Sequence, residues 1–467
     1  MRFGERVRQR AVPLIVAVAL FMENLDASVL STSLPQIARD LGTDPIHLKL
    51  ALTSYLLALA VFIPASGWAA DRFGARRLFR LAIAVFAAGS IACGLSQSLG
   101  GLVAARVLQG LGGAMMVPVG RLIVLRATPK AGLVGALAWL TVPALIGPVM
   151  GPLVGGAITT YANWRWIFWI NIPIAVLGVF LVTRFIPKLP PAPKVAFDAT
   201  GFVLAGPGVA LFLTGLTMAG LGVAPAPVVA AMVVGGLALC LGYVRHAFAV
   251  ERPLVDLRLL RLPTFRVAVV GGLFFRTGGG AIPFLLPLLL QLGFGLSAFQ
   301  SGSLTFATGI GAILMKFIAQ PVLQRFGFRR VLLVNAFVAA GFLAVPALFT
   351  PQTPALAMVL VLFLGGVCRS LQFTALNALA YAEVPSERLG SATSFSAVLQ
   401  QLSQTLGITV AAFGLEAVLA LTGRSAIVAA AFPPVFVLVG LVSLSSVLWL
   451  ARLTGRSGES LLARPAE

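Results

Sequence analysis

The chain has 467 residues, of which 59% are hydrophobic and only 10% charged, against roughly 45–50% and 25% in soluble domains. No water-facing surface can be built from that composition. The formal net charge is +20, but the basic residues sit in short clusters between apolar runs rather than along one face, so nucleic acid is not expected as a partner.

Apolar runs of about 18 residues or more recur along the chain, each long enough to cross a bilayer as a helix. The N-terminus, Met1 to Arg10 followed by an apolar run from Ala11, imitates a signal peptide. The run continues past Glu23 and Asp26 to Leu34 without a small-residue cleavage site, so it is read as a retained first span. Charge clusters and Pro/Gly turns divide the chain into about fourteen helices, predicted at 12–34, 48–70, 78–98, 102–126, 134–159 and 166–186, then 199–220 and 226–246. Six more follow at 267–290, 301–323, 330–350, 354–381, 390–421 and 428–451. Cys93, Cys240 and Cys368 fall inside these runs, without paired spacing or a His neighbour, and read as small core residues.

The loops set an orientation. Arg2, Arg6, Arg8 and Arg10 share a side with Arg72–Arg80, Arg126 and Lys130, Lys188 and Lys194, Arg252–Arg266, Arg325–Arg330 and the tail Arg452, Arg456 and Arg464. The opposite loops carry only Arg39, Lys49, Arg165 and Arg424. The positive-inside bias therefore predicts that both termini are cytoplasmic.

An internal repeat is visible. Asp71-Arg72-Phe73-Gly74-Ala75-Arg76-Arg77 recurs as Gln324-Arg325-Phe326-Gly327-Phe328-Arg329-Arg330, after the second helix of each half. Arg106-Val107-Leu108-Gln109 recurs as Arg369-Ser370-Leu371-Gln372 in the fourth. The predicted fold class is all-α: two six-helix bundles, 1–190 and 263–467, with a two-helix insertion and linker at 191–262. Duplicated halves around a cavity are how many secondary transporters achieve alternating access.

Charges inside spans are the informative residues, because each costs several kcal/mol unless paired or hydrated. Glu23 and Asp26, three apart in the first helix, share a face; two acids so close do not both ionise readily, and the pair is a candidate for binding and releasing a proton. Arg106 is the natural partner of these acids, although a purely structural pairing fits the same spacing. The second half carries Arg276, Lys316 and Arg369, with Glu416 as the only acid inside its spans. Such a lining suits an anionic or zwitterionic substrate, unless Lys316 snorkels outward and the arginines bond only to backbone. Gln109 and Asn377 complete the candidate cavity set. Gly147-Pro148-Val149-Met150-Gly151-Pro152-Leu153-Val154-Gly155-Gly156 is read as a bending or packing element of the fifth helix, and Gly278–Gly280 as a flexible point of the ninth.

These residues together resemble the major facilitator superfamily. Gly67-Trp68-Ala69-Ala70-Asp71-Arg72-Phe73-Gly74-Ala75-Arg76-Arg77 matches its loop signature, in which the Asp is expected to face a helix N-terminus of the other half, and Arg325 and Gly327 stand in the second copy. Gln324 replaces the acid there, so the charged latch is expected in one half only. Leu25–Val29, Arg106–Gly113 and Gly147–Gly156 resemble the first-helix, fourth-helix and antiporter signatures of drug:proton exporters. Asn163-Trp164-Arg165-Trp166-Ile167-Phe168-Trp169-Ile170-Asn171-Ile172-Pro173 is similar to the mark of their fourteen-helix branch. Pro64–Trp68, Gly112–Arg121 and the placement of Lys316 resemble one multidrug subtype within it.

The resemblance implies a proton-coupled antiporter of a bacterial inner membrane, monomeric, driven by the proton gradient without a cofactor or metal, and exporting drugs or other small organic compounds. An exporter of a metabolite such as an organic acid or sugar, its anion held by Arg276 and Arg369, is the second expectation. A receptor would need a soluble sensing segment, and no loop is long enough for one. An enzyme is disfavoured because His47 and His246 lie far apart with no metal-ligand cluster.

Overall fold

The computed structural model describes residues 2–127, 133–186, 196–219, 224–251, 253–385, 388–423, 427–455 and 457–458, with side chains throughout except at 2–11, 125, 127, 133–145, 389 and 390. The predicted loop cations Arg2, Arg6, Arg8, Arg10, Lys130, Lys188, Lys194, Arg252, Arg424, Arg456 and Arg464 lie outside the described side chains.

All regular structure among the described residues is helical. The spans are α1 (Val12–Asp40), α2 (Pro45–Phe73), α3 (Ala75–Leu95), α4 (Leu99–Val124), α5 (Leu133–Tyr161), α6 (Trp166–Phe185), α7 (Ala199–Met218) and α8 (Ala226–Ala249). They continue as α9 (Pro263–Gly293), α10 (Ala298–Phe326), α11 (Phe328–Leu348), α12 (Ala355–Ala380), α13 (Ser391–Thr422) and α14 (Ala429–Leu450). Thirteen are long and apolar enough to cross a membrane among the described residues. The fourteenth, α5, is a 29-residue helix. Phe317, Leu356 and Leu421 are 77%, 79% and 88% exposed, an arrangement that suits lipid rather than water as the surrounding medium.

One helix end and one loop assignment differ from the sequence reading. The first span does not stop at Leu34: a 3-10 turn at Leu30–Ser33 passes into a further helix, Leu34–Asp40, opened by Pro35 in its first turn. Lys49, read as a loop cation, instead opens the regular helix of α2 and is fully buried.

The chain folds into two compact units, Met1–Gly215 with Pro225–Tyr243, and Leu216–Ala224 with Val244–Glu467. In the first, α1 packs on α5, and α4 packs on both α2 and α3. The inserted α7 docks on α2: Phe202 lies 5.9 Å from Phe62, and Phe197 lies 4.5 Å from Trp68, ring to ring. The second unit repeats the scheme, with α9 on α13 and α10 on α12. The repeated loop is built alike in both units. Gly74 (φ 85°) ends α2 and Gly327 (φ 73°) ends α10, each in a left-handed conformation that side-chain-bearing residues rarely adopt.

The Gly/Pro run of α5 does not interrupt the helix, which continues from Leu133 through Pro148 and Pro152 to Tyr161. Its glycines form a seam with α1. A Cβ at Gly147 would lie 2.9 Å from the Leu25 amide, at Gly151 it would collide with Ser28, and at Gly155 with the Val29 carbonyl. Gly156 beside them is buried. In α9, Gly278 likewise abuts Ser443 and Val439, and Gly280 abuts Gln404, so these glycines serve close packing where the sequence suggested flexibility.

Gly155→Val is expected to destabilise the protein by about 1–3 kcal/mol, the usual range for overpacking a close interface. Gly67→Ala, whose new methyl meets nothing within 4 Å, should leave the melting temperature unchanged. Thermal unfolding of the two purified variants beside the parent protein checks the contrast.

Candidate functional site

The first unit buries an ion pair between α1 and α4. Arg106 on α4 donates from Nη1 to Asp26 Oδ2 on α1 at 2.6 Å, with both side chains essentially excluded from solvent. Three neutral residues complete it. Gln109 Nε2 donates to Asp26 Oδ1 at 2.8 Å while its Oε1 accepts from Arg106 Nη1 at 2.6 Å. Asn171 Nδ2, from α6, donates to the same Asp26 Oδ1 at 2.8 Å. Ser90 Oγ, from α3, accepts from Gln109 at 2.6 Å and from Asn171 at 3.2 Å.

Arg106 is anchored on its other side as well. Its Nε donates to the Ala51 carbonyl of α2 at 3.3 Å, and its guanidinium lies 4.1 Å from the centroid of the Tyr55 ring, a cation–π contact. Tyr55 in turn donates its hydroxyl to Glu23 Oε1 at 3.3 Å, and Asn24 Nδ2 lies 3.4 Å from Oε2. Glu23 is 6% exposed. The two acids of α1 therefore have different surroundings: Asp26 faces a cation and two amides, Glu23 a phenol and one amide. Gly110 and Gly113 on α4 leave the room that the Tyr55 side chain and backbone occupy.

Sequence reasoning found Glu23, Asp26, Arg106 and Gln109 and missed Ser90, Tyr55 and Asn171. The only signal for the missed residues was a polar side chain inside an apolar run, and for Asn171 its place in the Asn163–Pro173 motif. That motif also holds a clamp. Trp164 Nε1 donates to Asp40 Oδ2 at 2.7 Å, and Arg165 lies 3.7 Å from the same oxygen and 4.4 Å from the Trp164 ring centroid, tying the end of α1 to the start of α6.

In the loop signature, Asp71 Oδ1 accepts from Arg126 Nη2 at 2.7 Å in a half-exposed ion pair within the first unit. Arg76 donates to the Thr183 carbonyl of α6. Arg72 is exposed, and a Cβ at Gly67 would meet open space. Arg325 lies 5.6 Å from the Phe326 ring centroid.

The second unit places three cations, Arg276, Lys316 and Arg369, within its spans. Arg276 on α9 is 7% exposed, and its Nη2 donates to Asn377 Oδ1 of α12 at 2.8 Å. Lys316 on α10 donates to Thr374 Oγ1 at 2.8 Å. Both charges sit over the same ring, that of Phe373, at 5.3 Å and 5.6 Å from its centroid. Arg369, one turn earlier on α12, packs its Cδ against Gly279. Among the described residues none of these three cations forms an ion pair. The Arg-x-x-Gln repeat keeps its neutral half: Gln372 Oε1 accepts from Asn335 of α11 at 2.8 Å, as Gln109 bonds to Ser90 of α3.

The model of the Major Facilitator Superfamily matches residues 16–224 and 268–466. A Serratia proteamaculans protein described as "Putative multidrug resistance protein MdtD" is 39% identical over 404 residues, 85% of this chain and 83% of that one. The protein of the same description from Klebsiella pneumoniae is 39% identical over 400 residues, 85% and 84% of the two chains. Among solved structures, a D-xylose-proton symporter superposes with a TM-score of 0.70 over 96% of this chain and 98% of that one; at 13% identity the likeness is one of fold alone.

Removing Arg106 leaves a buried carboxylate without its counter-charge. Arg106→Ala is expected to cost about 3–5 kcal/mol. Asp26→Asn combined with Arg106→Ala should cost less than the sum of the single changes. Unfolding of the four proteins in a double-mutant cycle reads this coupling, and additive costs would contradict it.

Proposed function

The chain belongs to the Major Facilitator Superfamily, and from that premise we propose that it is a proton-coupled antiporter exporting drugs or other small organic compounds. Membership makes it a multi-pass membrane transporter rather than an enzyme. The curated relatives bear a multidrug resistance description, and this supports drugs as cargo. The loop charges support an orientation with both termini cytoplasmic, and the proposal places the protein in a bacterial inner membrane as a monomer powered by the proton gradient.

The observation that carries the coupling is the buried Asp26–Arg106 pair beside a second buried acid, Glu23. Asp26 accepts three hydrogen bonds here, one on Oδ2 and two on Oδ1, as a carboxylate does. A proton arriving on it cancels the charge that holds Arg106, so its protonation is tied to the contact of α1 with α4. Glu23 lies three residues away on the same helix face and serves as the neighbouring station of a shared proton. Protonation from outside favours outward release of cargo, and deprotonation inside resets the cycle.

Asp26→Asn in proteoliposomes should abolish uphill transport driven by a pH gradient and leave downhill exchange of cargo measurable. Undiminished uphill transport would remove Asp26 from the coupling scheme. Glu23→Gln should slow proton-driven transport less than Asp26→Asn does.

The cations of the second unit favour a further reading, an exporter of an endogenous anion such as an organic acid. Arg276 and Lys316 share one aromatic ring and lack acidic partners among the described residues. Arg276→Ala should weaken binding of anionic compounds about tenfold, the loss of one charge-assisted contact, and leave cationic ones within twofold. Titration of matched anionic and cationic dyes distinguishes this from an equal loss for both, which marks a structural arginine.

A further inference from the structure

In the first unit α3 begins at Ala75 and α6 ends at Phe185, and the two spans pack side by side, with Gly178 of α6 facing Ile83 of α3. At this end two arginines of α3 meet one threonine of α6. Arg76 donates to the Thr183 carbonyl, and Arg80 Nη1 donates to the Thr183 hydroxyl at 3.4 Å. Arg184 follows Thr183 directly, and Arg77 follows Arg76. Neither α3 nor α6 contains an acid, and Asp71 at the end of α2 is held by Arg126. Among the described residues Arg77 and Arg184 have neither a hydrogen bond nor an ion pair, so their N–H donors are left for a ligand. Like charges gathered at one end of a helix pair repel one another unless an anion compensates them.

Away from this cluster each helix turns an apolar stripe outward. On α3 the exposed positions Arg77, Leu81, Ala84 and Ala88 recur at helical spacing, and on α6 Val176, Leu177, Phe180 and Arg184 do the same. Leu81 is 57% exposed and Phe180 61%. Each stripe therefore runs from an arginine at the end of its span into the stretch that faces hydrocarbon. Basic residues in a loop are enough to orient a span. Here cations from two spans converge above two adjoining apolar tracks, an arrangement that matches a phospholipid with a negative headgroup.

We infer that the α3–α6 face of the first unit holds an anionic phospholipid, its phosphate on Arg80 and Arg184 with Arg77 beside them, and its acyl chains along Leu81 of α3 and Leu177 and Phe180 of α6. Planar guanidinium groups suit the paired oxygens of a phosphate diester. Basic pockets between spans are a known form of headgroup recognition. A zwitterionic lipid brings an ammonium group toward the same arginines and is disfavoured by it.

The test is native mass spectrometry of the delipidated full chain in detergent, titrated with phosphatidylglycerol and phosphatidylcholine of identical acyl chains. Phosphatidylglycerol should occupy the first site at least about twentyfold more tightly. Arg80→Gln combined with Arg184→Gln should reduce that preference about tenfold or more. Arg184→Gln alone, which breaks no hydrogen bond, should reduce it several-fold and decides the case should the double variant not fold. Arg329→Gln with Arg330→Gln removes the same charge from the second unit and should leave the preference within about twofold. Equal binding of the two lipids to the parent protein, or an equal loss in the two double variants, overturns the site. Glycerol phosphate at the lipid's concentration should displace nothing; displacement assigns the arginines to a soluble anion and overturns the lipid. The measurement involves neither protons nor cargo, so its outcome is independent of the coupling scheme.

Discussion

The first unit is organised around one carboxylate. Burying a charge pair costs several kcal/mol per ion before any attraction is recovered, and the site recovers it only because each prong is used. Asp26 draws donors from α4 and α6, the amides of those donors share Ser90 of α3, and the arginine spans to the Ala51 carbonyl of α2. Five helices, α1, α2, α3, α4 and α6, therefore converge on a single polar knot, and α5 holds α1 in place from behind through its glycine seam. In a largely apolar interior, that knot constrains rotation and depth of the helices it touches, because apolar packing alone tolerates sliding.

The duplicated halves share a scaffold and differ in charge. Both preserve the left-handed glycine after the second helix and the glutamine that bonds the third helix to the fourth. They part at the first helix of each half: Asp26 stands against one repeat arginine and Gly279 against the other. One half is thereby self-neutralised around a titratable group, and the other keeps uncompensated positive charge.

Much of the architecture was legible in the amino-acid sequence, since fourteen long apolar runs admit few alternatives and the repeated loop marks the duplication directly. Asp26, Glu23 and Arg106 were legible because charge inside a span is costly and therefore conspicuous, and Gln109 because it stands in the repeated Arg-x-x-Gln segment. Ser90, Tyr55 and Asn171 were not, because a hydroxyl or an amide in an apolar run is common and its partners lie on other helices. The continuation of α1 to Asp40 escaped notice because Pro35 suggests a stop, whereas a proline in a first helical turn permits a start. The Gly/Pro run of α5 admitted bending or packing on its composition, and its glycines pack. Composition reveals where backbones can approach and leaves open whether they use that freedom to bend or to touch.

Phe73, Gly74 and Ala75 leave a single residue between α2 and α3, and Phe326, Gly327 and Phe328 do the same between α10 and α11. A connection that short has no slack. When one helix of such a pair tilts, the other is obliged to swing with it, so each pair behaves as a crank with its elbow at the glycine. Motion begun beside Tyr55 on α2 is thus delivered to Ser90 on α3 by chain geometry as well as by side-chain contact.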